Sequence, residues 1–239
     1  MVKKSEYELR KIYAGVFDKS TLLSLERLMR GGYLEELESM ISTGKEANVY
    51  HGCMGEKEIA VKIYAIDASS FKNMEKYILG DRRFKTWRNR RQLVYTWAQK
   101  EYKNLARVHG FIECPRPHQA YRNILVMDFI GRDNIPAPRL KDSPPKNPKE
   151  YFNKIVGYIR GMYERGLVHA DLSEYNVLNT GEKPVIIDLS TGVLLDHPLA
   201  DKFLKRDIYN ICRYFRSEGV DCDEKEVLAE VKKISRGNF

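Results

Sequence analysis

Three polar residues on one short stretch and a fourth further along the chain are the part of this sequence best suited to chemistry. His169, Asp171 and Asn176 lie within eight residues, and Asp188 ends the next apolar run. One carboxylate can take a hydroxyl proton, while an amide oxygen and a second carboxylate can hold Mg²⁺. Phosphoryl transfer needs these functions, because the protein must position the nucleophile and neutralise charge spread over the transferred group. The spacing therefore indicates a phosphoryl-transfer site.

The same residues also have an ordinary structural interpretation. His169 could be a core histidine, Asp171 a turn former and Asp188 the cap of a strand end. The spacing of His169, Asp171 and Asn176 alone arises often by chance. An apolar strand and an aspartate at the right distance, together with Lys62, favour the catalytic interpretation.

A lysine within an apolar strand is the second signal. Lys62 follows Ile59, Ala60 and Val61, and strand alternation places Ala60 and Lys62 on one face. A small residue there leaves room beneath an adenine while the lysine points to its phosphates. A buried lysine needs a carboxylate to stay charged, and Glu101 in the following predicted helix is the candidate. The alternative is that Glu101 is one of many surface charges.

A loop before that lysine is a candidate for phosphate binding. It lies between the first two predicted strands and contains Ser42, Thr43, Gly44 and Lys45. Hydroxyls and backbone amides converging in a tight turn can hold phosphate oxygens. An ordinary hairpin turn is the competing interpretation, since only one glycine is present.

A second candidate segment for nucleotide binding follows a strand predicted at residues 123–127. Main-chain groups near Asp128 and Ile130 could bind an adenine, with Met127 lining the pocket. The alternative is a plain core strand.

Hydrophobic periodicity and turn residues predict an α+β fold with an antiparallel sheet plus helix first and a mainly helical part second. Seven of the nine prolines fall between Pro115 and Pro148, which marks a connector. The predicted helices and strands are helix 20–30, a meander of strands 38–42, 48–52 and 58–64, helix 93–108, strand 123–127, helix 151–165, strands 177–179 and 185–187, and helices 199–217 and 223–235. The predicted domains are a helical extension 1–36, an ATP-binding lobe 37–130 with a basic insert 72–91, a connector 131–148 and a lobe 149–239.

Composition and charge bound the remaining possibilities. The 239 residues contain no long apolar run, and the four cysteines form no Cys-x-x-Cys pair, so we expect a cytoplasmic protein with reduced thiols and no membrane span. The net charge is +8, with much of the excess in the basic segment, residues 72–91. Basic residues interleaved with aromatic ones suit a polyanion such as RNA, but a solvated charged loop explains them equally.

Five motifs together resemble the RIO family of atypical protein kinases. They are STGKEANVY at 42–50, AVKIY at 60–64, LVHADLSEYNVL at 167–178, IIDLS at 186–190 and DHPLADKFLKRD at 196–207. The residues of the first motif resemble those of the first RIO class, and the short tails resemble those of archaeal members. Ala170 stands where the family more often has Gly, which we expect to be tolerated.

The resemblance implies a trimmed bilobal kinase fold, ATP with Mg²⁺ or Mn²⁺, serine phosphorylation that includes autophosphorylation, and a role in maturing the small ribosomal subunit and its RNA. It assigns Asp171 as catalytic base, Asn176 and Asp188 as metal ligands, Lys62 and Glu101 as an ion pair, and Ser42 with Lys45 to the phosphate loop. It also implies that Asp188 can accept the phosphoryl group, which would make the protein an ATPase switch. Little chain separates Asp188 from the next predicted helix, so no room is left for an activation loop.

Two alternatives to a protein kinase remain open. One is an RNA-binding ribosome assembly factor in which the nucleotide acts as a conformational switch. The other is a small-molecule kinase, which shares the loop spacing but would be expected to have an acidic acceptor pocket. The basic charge balance makes the second alternative the weaker one.

Overall fold

The computed structural model describes residues 17–66, 71–84 and 87–233, without the side chains of residues 71–73. The chain forms two compact units. The first contains the described residues up to 66 together with Trp87–Tyr102 and Pro117–Phe129. The second contains residues 71–84, Lys103–Arg116 and the described residues from Ile130 onwards.

A five-stranded antiparallel sheet forms the first unit. Its strands lie in the order β1-β2-β3-β5-β4. The bounds are β1 (Glu36–Thr43), β2 (Ala47–Met54), β3 (Lys57–Tyr64), β4 (Pro117–Tyr121) and β5 (Ile124–Asp128). The predicted meander is therefore present, and β5 and β4 extend it. Every residue of β3 from Ile59 to Tyr64 is buried, which explains why this strand reads as an apolar run.

Helix α1 (Lys19–Arg30) covers one face of this sheet. Leu25 and Leu28 are buried in one cluster with Tyr50, Ile59 and Ile63. The alternate residues of β3, among them Lys62, point to the opposite face. The remainder of the predicted extension, residues 1–16, lies outside the described part of the chain.

The second unit is mainly helical. It contains α2 (Phe71–Ile78), α4 (Pro148–Glu164), α5 (Ala200–Ser217) and α6 (Glu224–Lys232), and it includes the end of α3 (Arg90–Val108). Three two-stranded sheets complete it: β6 (Gly131–Arg132) with β7 (Ile135–Pro136), β8 (Leu167–Val168) with β11 (Val193–Leu194), and β9 (Val177–Asn179) with β10 (Pro184–Ile186). A 3-10 turn spans Leu189–Thr191. Buried aliphatic and aromatic side chains of α4 and α5 form the core of this unit.

The α+β prediction, with an antiparallel sheet first and helices second, is confirmed. The predicted domain boundaries stay a prediction. The predicted insert of the first lobe, residues 72–91, is divided: contacts group its described residues up to 84 with the second unit and those from Trp87 with the first. They group the predicted connector, residues 131–148, with the second unit. Among the described residues, no helix combines the length and the apolarity that a membrane crossing needs.

Removing the cap of α1 should weaken the first unit. The Asp18 carboxylate accepts hydrogen bonds from the amides of Ser20, at 2.8 Å, and Thr21, at 3.1 Å. Although desolvation opposes them, the hydrogen bonds lower the pKa of Asp18, so the carboxylate stays charged at neutral pH. We expect Asp18→Ala to lower the free energy of unfolding by about 1 kcal/mol in denaturant titrations. Asp18→Asn keeps an acceptor oxygen and should retain most of this stability; an equal loss in both variants would contradict the capping role.

Candidate active site

A buried ion pair in the first unit joins β3 to α3. The Nζ atom of Lys62 lies 3.0 Å from both carboxylate oxygens of Glu101. Glu101 is fully buried and Lys62 is 7% exposed. The Tyr64 hydroxyl also donates to Glu101. A buried charge is costly unless it is paired, so this arrangement keeps Lys62 charged and directs its ammonium group.

Tyr64 was not identified from the sequence as part of this site. The available signal is its spacing, because it stands two residues after Lys62 and therefore on the same face of β3. Its hydroxyl and the lysine both use the Glu101 carboxylate, so Glu101 is held by two partners. The interpretation of Glu101 as a surface charge is wrong, since the residue is fully buried.

The predicted phosphate loop forms the turn between β1 and β2. Asn48 Oδ1 accepts hydrogen bonds from the Thr43 hydroxyl, at 2.9 Å, and from the Gly44 amide, at 3.4 Å. These predicted phosphate donors are therefore engaged by Asn48, which sequence reasoning did not single out. A Cβ atom at Gly44 would approach a backbone oxygen to 3.0 Å, so the tight turn favours glycine. Lys45 is exposed, and Ser42 lies at the end of β1.

The predicted adenine-binding segment ends β5. Met127 is buried and pairs in register with Ala60 of β3, so a small side chain lies beside it. The Asp128 carboxylate lies 2.7 Å from Nε2 of His118. Binding of an adenine by the main chain of Asp128 stays a prediction. Ile130 belongs to the second unit and is half-buried.

In the second unit, a buried carboxylate holds the loop that carries Asp171. Asp207 on α5 accepts hydrogen bonds from the amide of Ala170, at 2.8 Å, and the amide of Leu172, at 2.9 Å. These amides flank Asp171, so its backbone is fixed on both sides. Burial raises the pKa of Asp207 to about 8, although both amide hydrogen bonds and the neighbouring Arg206 favour the charged carboxylate. Ala170 has a left-handed backbone with φ of 66°, a conformation that glycine adopts more easily than alanine. The alanine at this position, where the family more often has glycine, is therefore held in a strained conformation.

Arg206 is the second residue of α5 that holds this loop. Its guanidinium donates to the Ala170 carbonyl and lies 3.8 Å from the Asp171 carboxylate. It also forms a hydrogen bond with the Tyr77 side chain of α2. Partial desolvation raises the pKa of Asp171; Arg206 counteracts this, and the negative charge of Asp188 adds to it. The Asp171 carboxylate is nevertheless largely exposed, which the predicted role of general base requires.

Asn176 and Asp188 lie next to each other beside this loop. The Asn176 side-chain amide donates to the Asp171 carbonyl at 2.9 Å, so Oδ1 is the atom of this side chain that could hold a metal. The Ile187 amide donates to the Asn176 carbonyl at 3.0 Å and so brings Asp188 alongside. Asp188 has a left-handed backbone with φ of 59°, and Ser190 donates to its carboxylate at 2.7 Å. An amide oxygen and a carboxylate are suitable ligands for Mg²⁺, which also uses phosphate oxygens.

His169 supports this region from within the core. It is 1% exposed, and Nε2 lies 3.1 Å from the Ile187 carbonyl. The Thr191 hydroxyl donates to the His169 carbonyl at 2.9 Å. His169 is therefore a core histidine, which was the structural interpretation of this residue from the sequence.

Asp207 and Arg206 were not among the site residues predicted from the sequence. Helical periodicity carried a signal for Asp207, because it falls on the face of α5 that also carries Phe203, Leu204 and Ile211. A charged residue on an apolar face needs partners, and Asp207 finds them in the amides of the loop. Nothing in the sequence pattern indicated which loop that would be.

Replacing Asp207 should destabilise the second unit. In Asp207→Asn the amide group presents hydrogens to one of the two backbone N–H groups, so that buried donor loses its acceptor. We expect the free energy of unfolding to fall by about 1–3 kcal/mol in denaturant titrations.

Asp201→Asn is the matched control for this change. Asp201 lies on the same helix but is exposed, and it forms surface ion pairs with Lys205 and Lys232. We expect its loss to cost less than about 1 kcal/mol. Equal losses in the two variants would show that Asp207 does not hold the loop.

Comparison with known proteins identifies the family. The RIO domain family matches residues 48–227. The chain is 44% identical over 214 residues to the RIO-type serine/threonine-protein kinase Rio1 of Methanocaldococcus jannaschii, covering 89% of this chain and 74% of that protein. It is 39% identical over 187 residues to the corresponding protein of Thermoplasma acidophilum, covering 77% of this chain and 99% of that protein.

A solved structure shows the same fold. The Rio2 kinase-ADP/Mg²⁺-phosphoaspartate complex from Chaetomium thermophilum matches with a TM-score of 0.68 and 22% identity, over 90% of this chain and 67% of that chain. At this identity the likeness concerns the fold, while the family follows from the sequence matches. The chain therefore belongs to the RIO family of serine/threonine-protein kinases, in its first class.

Proposed function

We propose that this protein transfers the γ-phosphoryl group of ATP, in the presence of Mg²⁺ or Mn²⁺, to a protein serine or, through Asp188, to water. The observation that carries the proposal is the placement of Asp171, Asn176 and Asp188 on neighbouring backbone segments that hydrogen bonds hold together. The names of the relatives, which are serine/threonine-protein kinases, support the same reaction class.

Asp171 would act as the general base. A serine hydroxyl attacks the γ-phosphorus, its proton passes to the Asp171 carboxylate, and ADP leaves. Partial desolvation and the negative charge of Asp188 raise the pKa of Asp171, which favours acceptance of that proton. Arg206, whose guanidinium lies 3.8 Å from the carboxylate, counteracts this shift and favours the ionised form that accepts the proton.

The divalent cation would be held by Asn176 Oδ1 and the Asp188 carboxylate. When bound, the cation neutralises negative charge on the phosphate oxygens. In the first unit, Lys62 would contribute a positive charge to the phosphates. Glu101 and Tyr64 support that role, because they keep the ammonium group charged and oriented in a buried position.

Asp188 would be the nucleophile of the ATPase branch. One carboxylate oxygen attacks the γ-phosphorus and ADP leaves, so Asp188 becomes an acyl phosphate. Water then cleaves this acyl phosphate to inorganic phosphate and the free carboxylate. The solved Rio2 complex with ADP and Mg²⁺ holds a phosphoaspartate, which supports this branch.

Substitution of the two carboxylates tests the proposal. We expect Asp171→Asn and Asp188→Asn each to lower ATP turnover roughly 10²-fold or more, because each removes a base or a metal ligand. Asp201→Asn should turn over ATP at the wild-type rate. If both site variants also retained the wild-type rate, the site would be wrong.

Chemical stability distinguishes the two branches. Radioactive phosphate on serine resists hydroxylamine, whereas an acyl phosphate on Asp188 is cleaved by it. A hydroxylamine-labile label that disappears in Asp188→Asn would favour the ATPase branch, and a resistant label would favour the kinase branch.

A second proposed activity is binding of small-subunit ribosomal RNA in a precursor particle. The observation that favours it is the start of α3, where Arg90 and Arg91 are exposed at the positive end of the helix dipole. Cations destabilise a helix at this end, and a polyanion would remove that cost. Arg88 just before the helix is also exposed. Arg83 of the same basic segment is excluded as a phosphate contact, because it pairs internally with Asp81.

Binding of small-subunit RNA across a salt series tests this activity. The variant with Arg88, Arg90 and Arg91 all replaced by Gln should bind more weakly. Its slope of log affinity against log salt should be shallower by about 0.7–0.9 for each lost phosphate contact. Arg160→Gln, which removes one exposed arginine from α4, should keep the wild-type slope. Identical slopes for all the proteins would argue against an RNA surface here.

A further inference from the structure

A buried polar network in the second unit begins in the basic segment. Arg83 contacts both oxygens of Asp81, with Nε–Oδ1 at 2.9 Å and Nη2–Oδ2 at 2.7 Å. Asp81 is 3% exposed and the Arg83 side chain is 13% exposed. The bidentate geometry fixes the plane of the guanidinium group and leaves Nη1 directed at a third residue.

That third residue is Asn104, near the end of α3. Arg83 Nη1 donates to Asn104 Oδ1 at 2.8 Å. The Asn104 amide group donates to the carbonyls of Leu189, at 2.7 Å, and Gly192, at 2.9 Å. Since the guanidinium can only donate, it requires the oxygen of Asn104 on its side and turns the NH₂ group towards residues 189–192. Asn104 is fully buried.

The two carbonyls that Asn104 binds lie at the ends of the turn following Asp188. The approach is close: a Cβ atom on Gly192 would lie 2.8 Å from Asn104 Nδ2. Within this turn, Ser190 donates to the Asp188 carboxylate at 2.7 Å. The left-handed backbone of Asp188 is a strained conformation that persists only where the surroundings hold it. The position of the Asp188 carboxylate therefore depends on the turn, and the turn is held by Asn104.

We propose that Asp81, Arg83 and Asn104 are positioning residues for Asp188, resting on the proposed function of Asp188 as a metal ligand. The three residues fix the turn at 189–192, and the turn fixes the carboxylate that holds the cation. A buried Arg–Asp pair stabilises a fold no better than apolar residues of similar volume. Its use here is the orientation of one amide side chain.

The test measures cation binding directly in the full-length protein. Mn²⁺ binding in the presence of ADP is titrated by electron paramagnetic resonance for wild type, Arg83→Gln, Arg83→Lys and Asn104→Ala. We expect the dissociation constant to rise roughly 10–100-fold in the three variants, as for other residues that orient metal ligands. Arg83→Lys keeps the positive charge but loses the planar guanidinium that binds Asp81 and Asn104 together, so its Mn²⁺ affinity should also be reduced. Arg160→Gln, an exposed arginine in an ion pair with Glu164, should bind Mn²⁺ like wild type.

Activity gives a second readout. The concentration of Mg²⁺ that gives half-maximal ATP turnover should rise by the same factor, while the KM for ATP measured at saturating Mg²⁺ changes less. Arg83→Gln and Asn104→Ala act on one network, so their combined effect should be smaller than the product of the single effects. Should Asn104→Ala fail to fold, Ser190→Ala removes the hydrogen bond between the turn and the Asp188 carboxylate and should show a Mn²⁺ shift in the same direction.

Variants that melt at lower temperature but bind Mn²⁺ as wild type does would overturn the proposal, because they would show a merely structural role. Wild-type affinity in Arg83→Lys would overturn it too, since charge alone would then suffice. If wild-type protein neither binds Mn²⁺ with ADP nor turns over ATP, the proposed function itself fails. Binding and turnover in wild type with unaffected variants would remove only the positioning role.

Discussion

The rest of the candidate site depends on the hydrogen bonds that the buried Asp207 carboxylate accepts from the loop around Asp171. This carboxylate binds the amides on either side of Asp171, and without these hydrogen bonds the loop would be free to adopt other backbone conformations. The Asp171 carbonyl in turn holds the Asn176 side chain, and the Asn176 carbonyl holds the strand that leads to Asp188. One carboxylate in the core therefore fixes the backbone of Asp171 and, through further hydrogen bonds, helps to place the candidate site residues Asn176 and Asp188.

The first unit uses a buried carboxylate in a different way. Glu101 binds side chains instead of amides, and its partners are Lys62 and Tyr64 on one face of β3. Removing either charge of the pair would leave the other buried without compensation, which costs more than the pair itself contributes. The arrangement is therefore best understood as one that keeps a lysine charged and correctly directed, and only secondarily as a source of stability.

Much of the fold could be predicted because each element carries its own periodic signal. The three strands of the meander and the helices around residues 20–30 and 199–217 are within a few residues of their predicted bounds. Short-range spacing sufficed to single out Asp171 and Asn176 as candidate site residues, and their roles stay a prediction. The phosphate loop shows the limit of this reasoning. Its donors were identified, but their engagement by Asn48 depends on a turn conformation that the residue types do not specify.

The sequence by itself determined which polar groups the second unit brings together, since Asp171, Asn176 and Asp188 lie in one loop and directly after the strand that follows it. Only the tertiary structure decided what holds them. Ala170 and Asp207 are 37 residues apart, and Asn104 is 85 residues from Leu189. A contact between such distant residues leaves no periodic pattern, because its partners share neither a helix face nor a strand. For the same reason the sequence showed Arg83 as one more cation in a basic segment, and its contacts with Asp81 and Asn104 emerged from the folded chain alone.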